Sequence, residues 1–178
     1  MKKILWLTNI PSPYRVAFFN ELGKYCQLTV LFEKASSDER DDDWKNYSFN
    51  NFNGIVLKSI AVSVNTAISL QFTKYLDYDS IIVVGNPATP TGVLAIFYMQ
   101  LVRMSYAVES DGAFPVSAKG IKGWLKKLLY MKAKNCFTTS DVGVEYFINY
   151  GVKANNIHKY PFSSIKDDYL IETPLTPE

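Results

Sequence analysis

Apolar positions in this chain switch repeatedly between a strand-like and a helix-like period. Ile4–Leu7 is a short apolar run ending at Thr8-Asn9, the pattern of a buried first strand. Pro11 and Pro13 forbid a continuing sheet ladder and hold the chain extended around Ser12. Val16, Phe18, Phe19 and Leu22 then recur at helical spacing, with Gly23 as the stop. Gln27–Glu33 alternates at Leu28, Val30 and Phe32 and predicts a second strand. A polar stretch, Ala35–Asn53, separates it from a third strand over Ile55–Ile60. Asn65–Leu76 carries Ala67, Ile68, Leu70, Phe72, Tyr75 and Leu76 at roughly helical intervals, which predicts a helix capped by Asn65 or Thr66.

The second half is more regular. Ser80–Val84 is continuously apolar, as a strand buried on both faces should be. Gly85–Pro90 forms its loop, and Thr91–Arg103 is a helix apolar almost all round, hence expected to be buried. Tyr106–Glu109 is a strand ending at Ser110-Asp111-Gly112, and Ile121–Lys134 is a helix. Cys136–Thr139 is a strand, Val142–Tyr150 a helix closed by Gly151, and Ile157–Phe162 a last strand. Strand and helix alternate along most of the chain. This predicts an α/β fold: a Rossmann-like parallel sheet of about six to seven strands with helices on both faces. Residues 3–166 are expected to form one domain, and the polar, Pro-rich Asp167–Glu178 to begin an interdomain linker.

Composition narrows the function classes. With 178 residues, 48% hydrophobic and 20% charged, the chain has enough material for a substantial core. A net charge of +2 argues against a dedicated nucleic-acid binder. Cys26 and Cys136 show no pairing pattern and are expected to be reduced core residues, as in a cytoplasmic protein. One histidine, His158, leaves no His-rich metal site and disfavours a serine-type triad. Lys2-Lys3 before Ile4–Leu7 imitates a signal peptide, but the apolar run is too short.

Nucleotide loops of the common kinds are missing. The sequence holds no GxGxxG and no GxxxxGK[ST], which disfavours nicotinamide, flavin and NTPase sites. Any phosphate at the first loop would rely on backbone amides at the helix start and on Arg15, which otherwise reads as a surface arginine capping a loop. Asp41-Asp42-Asp43 is the one cluster suited to a hard cation, but its polar setting makes a solvated loop the better reading. Glu109 and Asp111 stand two apart at the carboxyl end of a central strand. A carboxylate there can orient a sugar hydroxyl or take its proton, or simply cap the turn beside Gly112. Lys119–Lys134 carries six lysines and no acid around Ile121, Trp124, Leu125, Leu128 and Leu129. The apolar stripe is expected to pack on the sheet with the lysines in water, which leaves an anionic membrane surface as a candidate partner.

Taken together, Asn9–Arg15 leading to Phe18–Leu22, Arg40 with Trp44, and Glu109–Gly112 form an ordered pattern. With Ser140, Tyr146…Gly151-Val152 and Tyr160–Ser164, it resembles the N-terminal half of bacterial family-4 glycosyltransferases of the GT-B fold. Pro-Ser-Pro replaces the glycine-rich first loop usual in that family. The resemblance implies a retaining enzyme that moves a sugar from a nucleotide-sugar to a saccharide or lipid-linked acceptor in surface polysaccharide assembly, without metal or other cofactor. It implies that this domain holds the acceptor, while the nucleotide and the spaced glutamates belong to a second domain. Ser12, Tyr14, Arg15, Asn86, Thr89 and Glu109 are then substrate-side residues and Asp111 the catalytic candidate. The fragment alone is expected to be inactive, and its place is the cytoplasm or the inner face of the cytoplasmic membrane. Two other readings stay open: a stand-alone flavodoxin-like binding module, and half of a GT-B-like sugar-nucleotide epimerase.

Overall fold

The computed structural model describes residues 1–35, 48–63, 66–84, 89–112 and 120–161. The elements run β1 (Lys3–Thr8), α1 (Pro13–Leu22), β2 (Gln27–Phe32), β3 (Asn53–Val56), β4 (Ala61–Ser63), β5 (Thr66–Ile68), β6 (Ser80–Val84), α2 (Pro90–Leu101), β7 (Ala107–Ser110), α3 (Gly120–Met131), β8 (Asn135–Thr138), α4 (Asp141–Asn149) and β9 (Ile157–Lys159). Seven strands form one parallel sheet in the order β3-β2-β1-β6-β7-β8-β9. Register is continuous across the centre: Leu5 lies beside Thr29 on one side and Ile81 on the other.

Side-chain alternation divides the core. Leu5, Leu7, Ile81, Val83 and Val108 face α2, α3 and α4, whose Ile96, Met99, Leu129, Tyr130 and Phe147 complete one layer. Trp6, Val30, Phe32 and Ile82 face the other way, against Val16 and Phe19 of α1. The expected α/β architecture with helices on both faces is what the chain adopts. Pro13 starts α1, where its missing N–H costs nothing. Gly151, at φ +84°, ends α4 in the left-handed conformation that a side chain would resist. Gly143 is required for a different reason: a Cβ there would fall 1.8 Å from Thr138 Oγ1. Both cysteines are buried and unpaired, and burial pushes the Cys136 thiol up to about 12.

Three expectations are corrected. The helix predicted over Asn65–Leu76 is instead an antiparallel hairpin, β4–β5, followed by a 3-10 turn at Gln71–Tyr75. The physical reason is tertiary. Thr91 Oγ1, in the first turn of α2, donates to the Ala67 carbonyl at 2.7 Å and accepts from Ser69 N–H at 2.8 Å, fixing an extended backbone there. Burial across Ala67–Leu70 accordingly follows a period of two.

The second correction concerns α2, which is not buried all round. Ala95, Ile96 and Met99 pack inward, while Leu101 is 81% exposed and Leu94, Phe97 and Tyr98 are partly so. The third concerns α3, whose apolar stripe packs on the core only in part, through Leu129 and Leu125 and not through Ile121 and Trp124. Gly123, Leu129 and Tyr130 are buried, Leu125 and Leu128 are half-buried, and Ile121 and Trp124 stand in solvent. Tyr130 hydrogen-bonds Tyr146 at 3.2 Å and stacks edge-on against Phe147 and Tyr150, so aromatic packing sets the helix's rotation.

Candidate active site

The strand order reverses at β1, with β2 on one side and β6 on the other, and open parallel sheets bind ligands at the carboxyl ends beside such a point. At that edge the chain gathers Arg15 from α1, Glu109 and Asp111 from the end of β7, and Tyr160 just beyond β9. Arg15 Nη2 donates to Glu109 Oε1 at 2.9 Å and to Asp111 Oδ2 at 2.7 Å. Tyr160 OH donates to the same Glu109 oxygen at 2.7 Å. Arg15 is 4% exposed and Glu109 0%, while Asp111 is 37% exposed. Arg15 is therefore no surface loop cap; it is a buried cation bridging two carboxylates. The two-residue spacing of Glu109 and Asp111 puts both on one side of β7, which is why one guanidinium reaches both.

Burial sets the electrostatics here, and the ion pair opposes it. Desolvation pushes the Glu109 carboxyl above its ordinary value, against the pull of Arg15 and Tyr160. Burial also works against the Arg15 cation, but Glu109 and then Asp111 more than offset it and hold the guanidinium firmly protonated. Desolvation, then the nearby Glu109, pushes the Tyr160 phenol up, so it stays a hydrogen-bond donor. Among the described residues Glu109 Oε2 is buried without a hydrogen-bond partner.

A second carboxyl lies along the same edge. Glu33, just past β2, is buried and accepts 2.7 Å from Thr89 Oγ1. Thr89 caps α2, its hydroxyl oxygen also accepting from Gly92 N–H at 3.2 Å. Desolvation pushes Glu33 up to about 7, with the Thr89 bond pulling the other way.

Ser12 is buried at the start of α1, and Tyr14 is half-exposed in its first turn. Neither appears in the Arg15–Glu109–Asp111–Tyr160 bonds above. Thr89 joins Glu33 and not that cluster. Asn86 and Asp41–Asp43, with Arg40, Trp44 and Lys119, lie outside the described residues. The described residues hold no group of three or more His, Cys, Asp or Glu placed to bind a metal. His158 is exposed and pairs with Asn135 at 2.9 Å. Sequence reasoning missed Glu33 and Tyr160 as members of this edge. Tyr160 entered the resemblance only as part of Tyr160–Ser164, with no role assigned, and the signal for Glu33 was its position directly after a strand. Depressions of about 280 Å³, beside Lys3 and Tyr78, and about 570 Å³, beside Gly23 and Asn51, border neither carboxyl cluster.

This architecture is a Rossmann-like parallel sheet with its polar cluster at the carboxyl edge. The sequence matches no protein-family model and no curated protein. Solved structures do match the fold. Anabaena HepE in complex with UDP superposes at TM-score 0.60 with 13% identity, over 91% of this chain and 44% of that one. S. aureus MnaA with UDP gives TM-score 0.60 and 16% identity, over 97% and 50%. The UDP-GlcNAc 2-epimerase of Methanocaldococcus jannaschii gives 0.51 and 12%, over 89% and 45%. The chain thus spans about half the length of the structures it matches.

Proposed function

We propose that this chain is the acceptor-binding N-terminal half of a retaining glycosyltransferase that moves a sugar from a nucleotide-sugar to a saccharide or lipid-linked acceptor in surface polysaccharide assembly. The observation that carries the reading is the Arg15–Glu109–Asp111–Tyr160 cluster at the carboxyl edge of the sheet, beside the strand-order reversal. Arg15 and Tyr160 fix Glu109, and Arg15 in turn orients Asp111. Asp111 is the cluster's solvent-reaching carboxyl, with acceptor capacity beyond the Arg15 bond. In this reading it takes a hydrogen bond from an acceptor hydroxyl and receives its proton as the glycosidic bond forms. In this reading Ser12, Tyr14 and Thr89 also serve the acceptor side. The donor and its leaving nucleotide are held mainly by a second domain, so residues 1–178 alone leave a nucleotide-sugar intact.

A second reading is favoured by a specific observation: two of the matched structures are of HepE and MnaA with UDP, and a third is named a UDP-GlcNAc 2-epimerase. On that reading the same edge faces the sugar of a nucleotide-sugar, and the product is its epimer. Incubating the complete protein with UDP-sugars separates the two. UDP released, with the sugar joined to the acceptor, only when a saccharide or lipid-linked acceptor is added supports the transferase. An epimerised UDP-sugar formed without acceptor overturns it in favour of the epimerase. Tight binding with neither product identifies a stand-alone binding module.

A further inference from the structure

The outward face of α3 is chemically unlike the rest of an ordinary surface helix. Ile121, Trp124, Leu125 and Leu128 share one side of the helix, and the buried Gly123 and Tyr130 lie on the opposite side. Leu125 packs against the core and Leu128 is half-buried, so the part of this side that is turned to solvent is Ile121 and Trp124. Ile121 is 84% exposed and Trp124 65%. On a helical projection Lys122 and Lys127 flank this stripe on its two sides, and both are exposed.

A second element extends the surface. Gln100 of α2 donates its amide to the Leu128 carbonyl at 3.1 Å, so the exposed Leu101 end of α2 abuts α3. Across residues 90–106 and 119–134 the chain carries seven lysines and arginines and no carboxylate. An interface with a protein of mixed charge does not demand that bias. An exposed tryptophan and isoleucine between lysines fit an interface that is apolar within and negatively charged at its rim. No helix among the described residues is long and apolar enough to cross a membrane, so contact would be at the surface only.

We propose that the outer face of α3, with the adjoining end of α2, docks on an anionic lipid bilayer. Ile121 and Trp124 enter the headgroup boundary, and Lys122 and Lys127 meet lipid phosphates. The proposal holds whichever reaction the protein runs, and it is tested without any sugar substrate.

The test is co-sedimentation of the full chain with vesicles of phosphatidylcholine alone and of equimolar phosphatidylcholine and phosphatidylglycerol. Binding to the anionic vesicles is expected to exceed that to the neutral ones by about tenfold or more, and to weaken at high salt. Ile121→Ser with Trp124→Ser, and separately Lys122→Glu with Lys127→Glu, should each weaken it by about tenfold or more. Because these side chains are exposed, helix content and thermal midpoint should not move. Equal binding to both vesicle types, or none, overturns the proposal. So does anionic binding that both variants retain. Self-association abolished by Ile121→Ser with Trp124→Ser, without vesicle binding, assigns the face to a second copy of the chain instead.

Discussion

Glu109 and Glu33 are the same residue type in nearly the same situation, and they behave differently. Each is buried at the carboxyl end of a parallel strand, and each has one oxygen, Oε2, without a hydrogen-bond partner among the described residues. Glu109 has a guanidinium at 2.9 Å and a phenol at 2.7 Å on its other oxygen. Among the described residues the Glu33 carboxyl has a single threonine hydroxyl. A guanidinium turns a buried carboxyl into half of an ion pair that fixes geometry. A hydroxyl leaves it to desolvation, which pushes Glu33 up to about 7. Desolvation raises both carboxyls; one end of the edge is tied by a guanidinium bridge that pulls against it, and the other by a hydroxyl bond.

The sharpest way to break the contrast is to remove the cation. Arg15→Met strands Glu109 in the core, and a loss of about 3–5 kcal/mol is expected in urea unfolding. Adding Glu109→Gln should restore a large part of it, since the cost is the uncompensated charge; a double variant as unstable as the single one would mean Arg15 acts through packing.

Glu33→Gln should do the reverse. The folded-state value of Glu33 lies above its unfolded value, so its carboxyl is neutral in both states below about pH 4.5 and ionised in both above about 7. Its contribution to stability is therefore present at low pH and lost as pH rises through that window. Glutamine keeps the acceptor for Thr89 and removes the ionisation. A gain of about 3 kcal/mol above neutral pH, vanishing under acid conditions, is expected, since a tenfold change in proton affinity is worth 1.36 kcal/mol. Unfolding curves at several pH values read it directly.

Asp111→Asn should change stability least, by under about 1 kcal/mol, because Asp111 is partly solvated and Arg15 keeps its bond to Glu109. Thermal unfolding checks this.

Much of the fold is legible in the sequence, since strand and helix periods alternate cleanly from Ser80 to Gly151 and each apolar run finds its place in the sheet. The errors share a cause. Over Ala67–Leu76 the apolar spacing fits either period, and Thr91, more than twenty residues on, decides the matter by holding the backbone extended. In α3 the sequence shows an apolar stripe but not which way it turns; Tyr130 and its ring contacts with α4 decide that. At the site, Glu109 and Asp111 are recognisable from their strand-end spacing. The burial of Arg15 is not, because the carboxylates that hold it lie 94 and 96 residues away, across five intervening strands.

The central claim is that this carboxyl edge faces the substrate. The most direct test is turnover by the complete protein carrying Asp111→Asn, measured as sugar transfer or as epimerisation. A fall in kcat of about a hundredfold or more is expected, with an unfolding midpoint close to that of the unchanged protein. Turnover within about twofold of the unchanged protein, at equal stability, would contradict it.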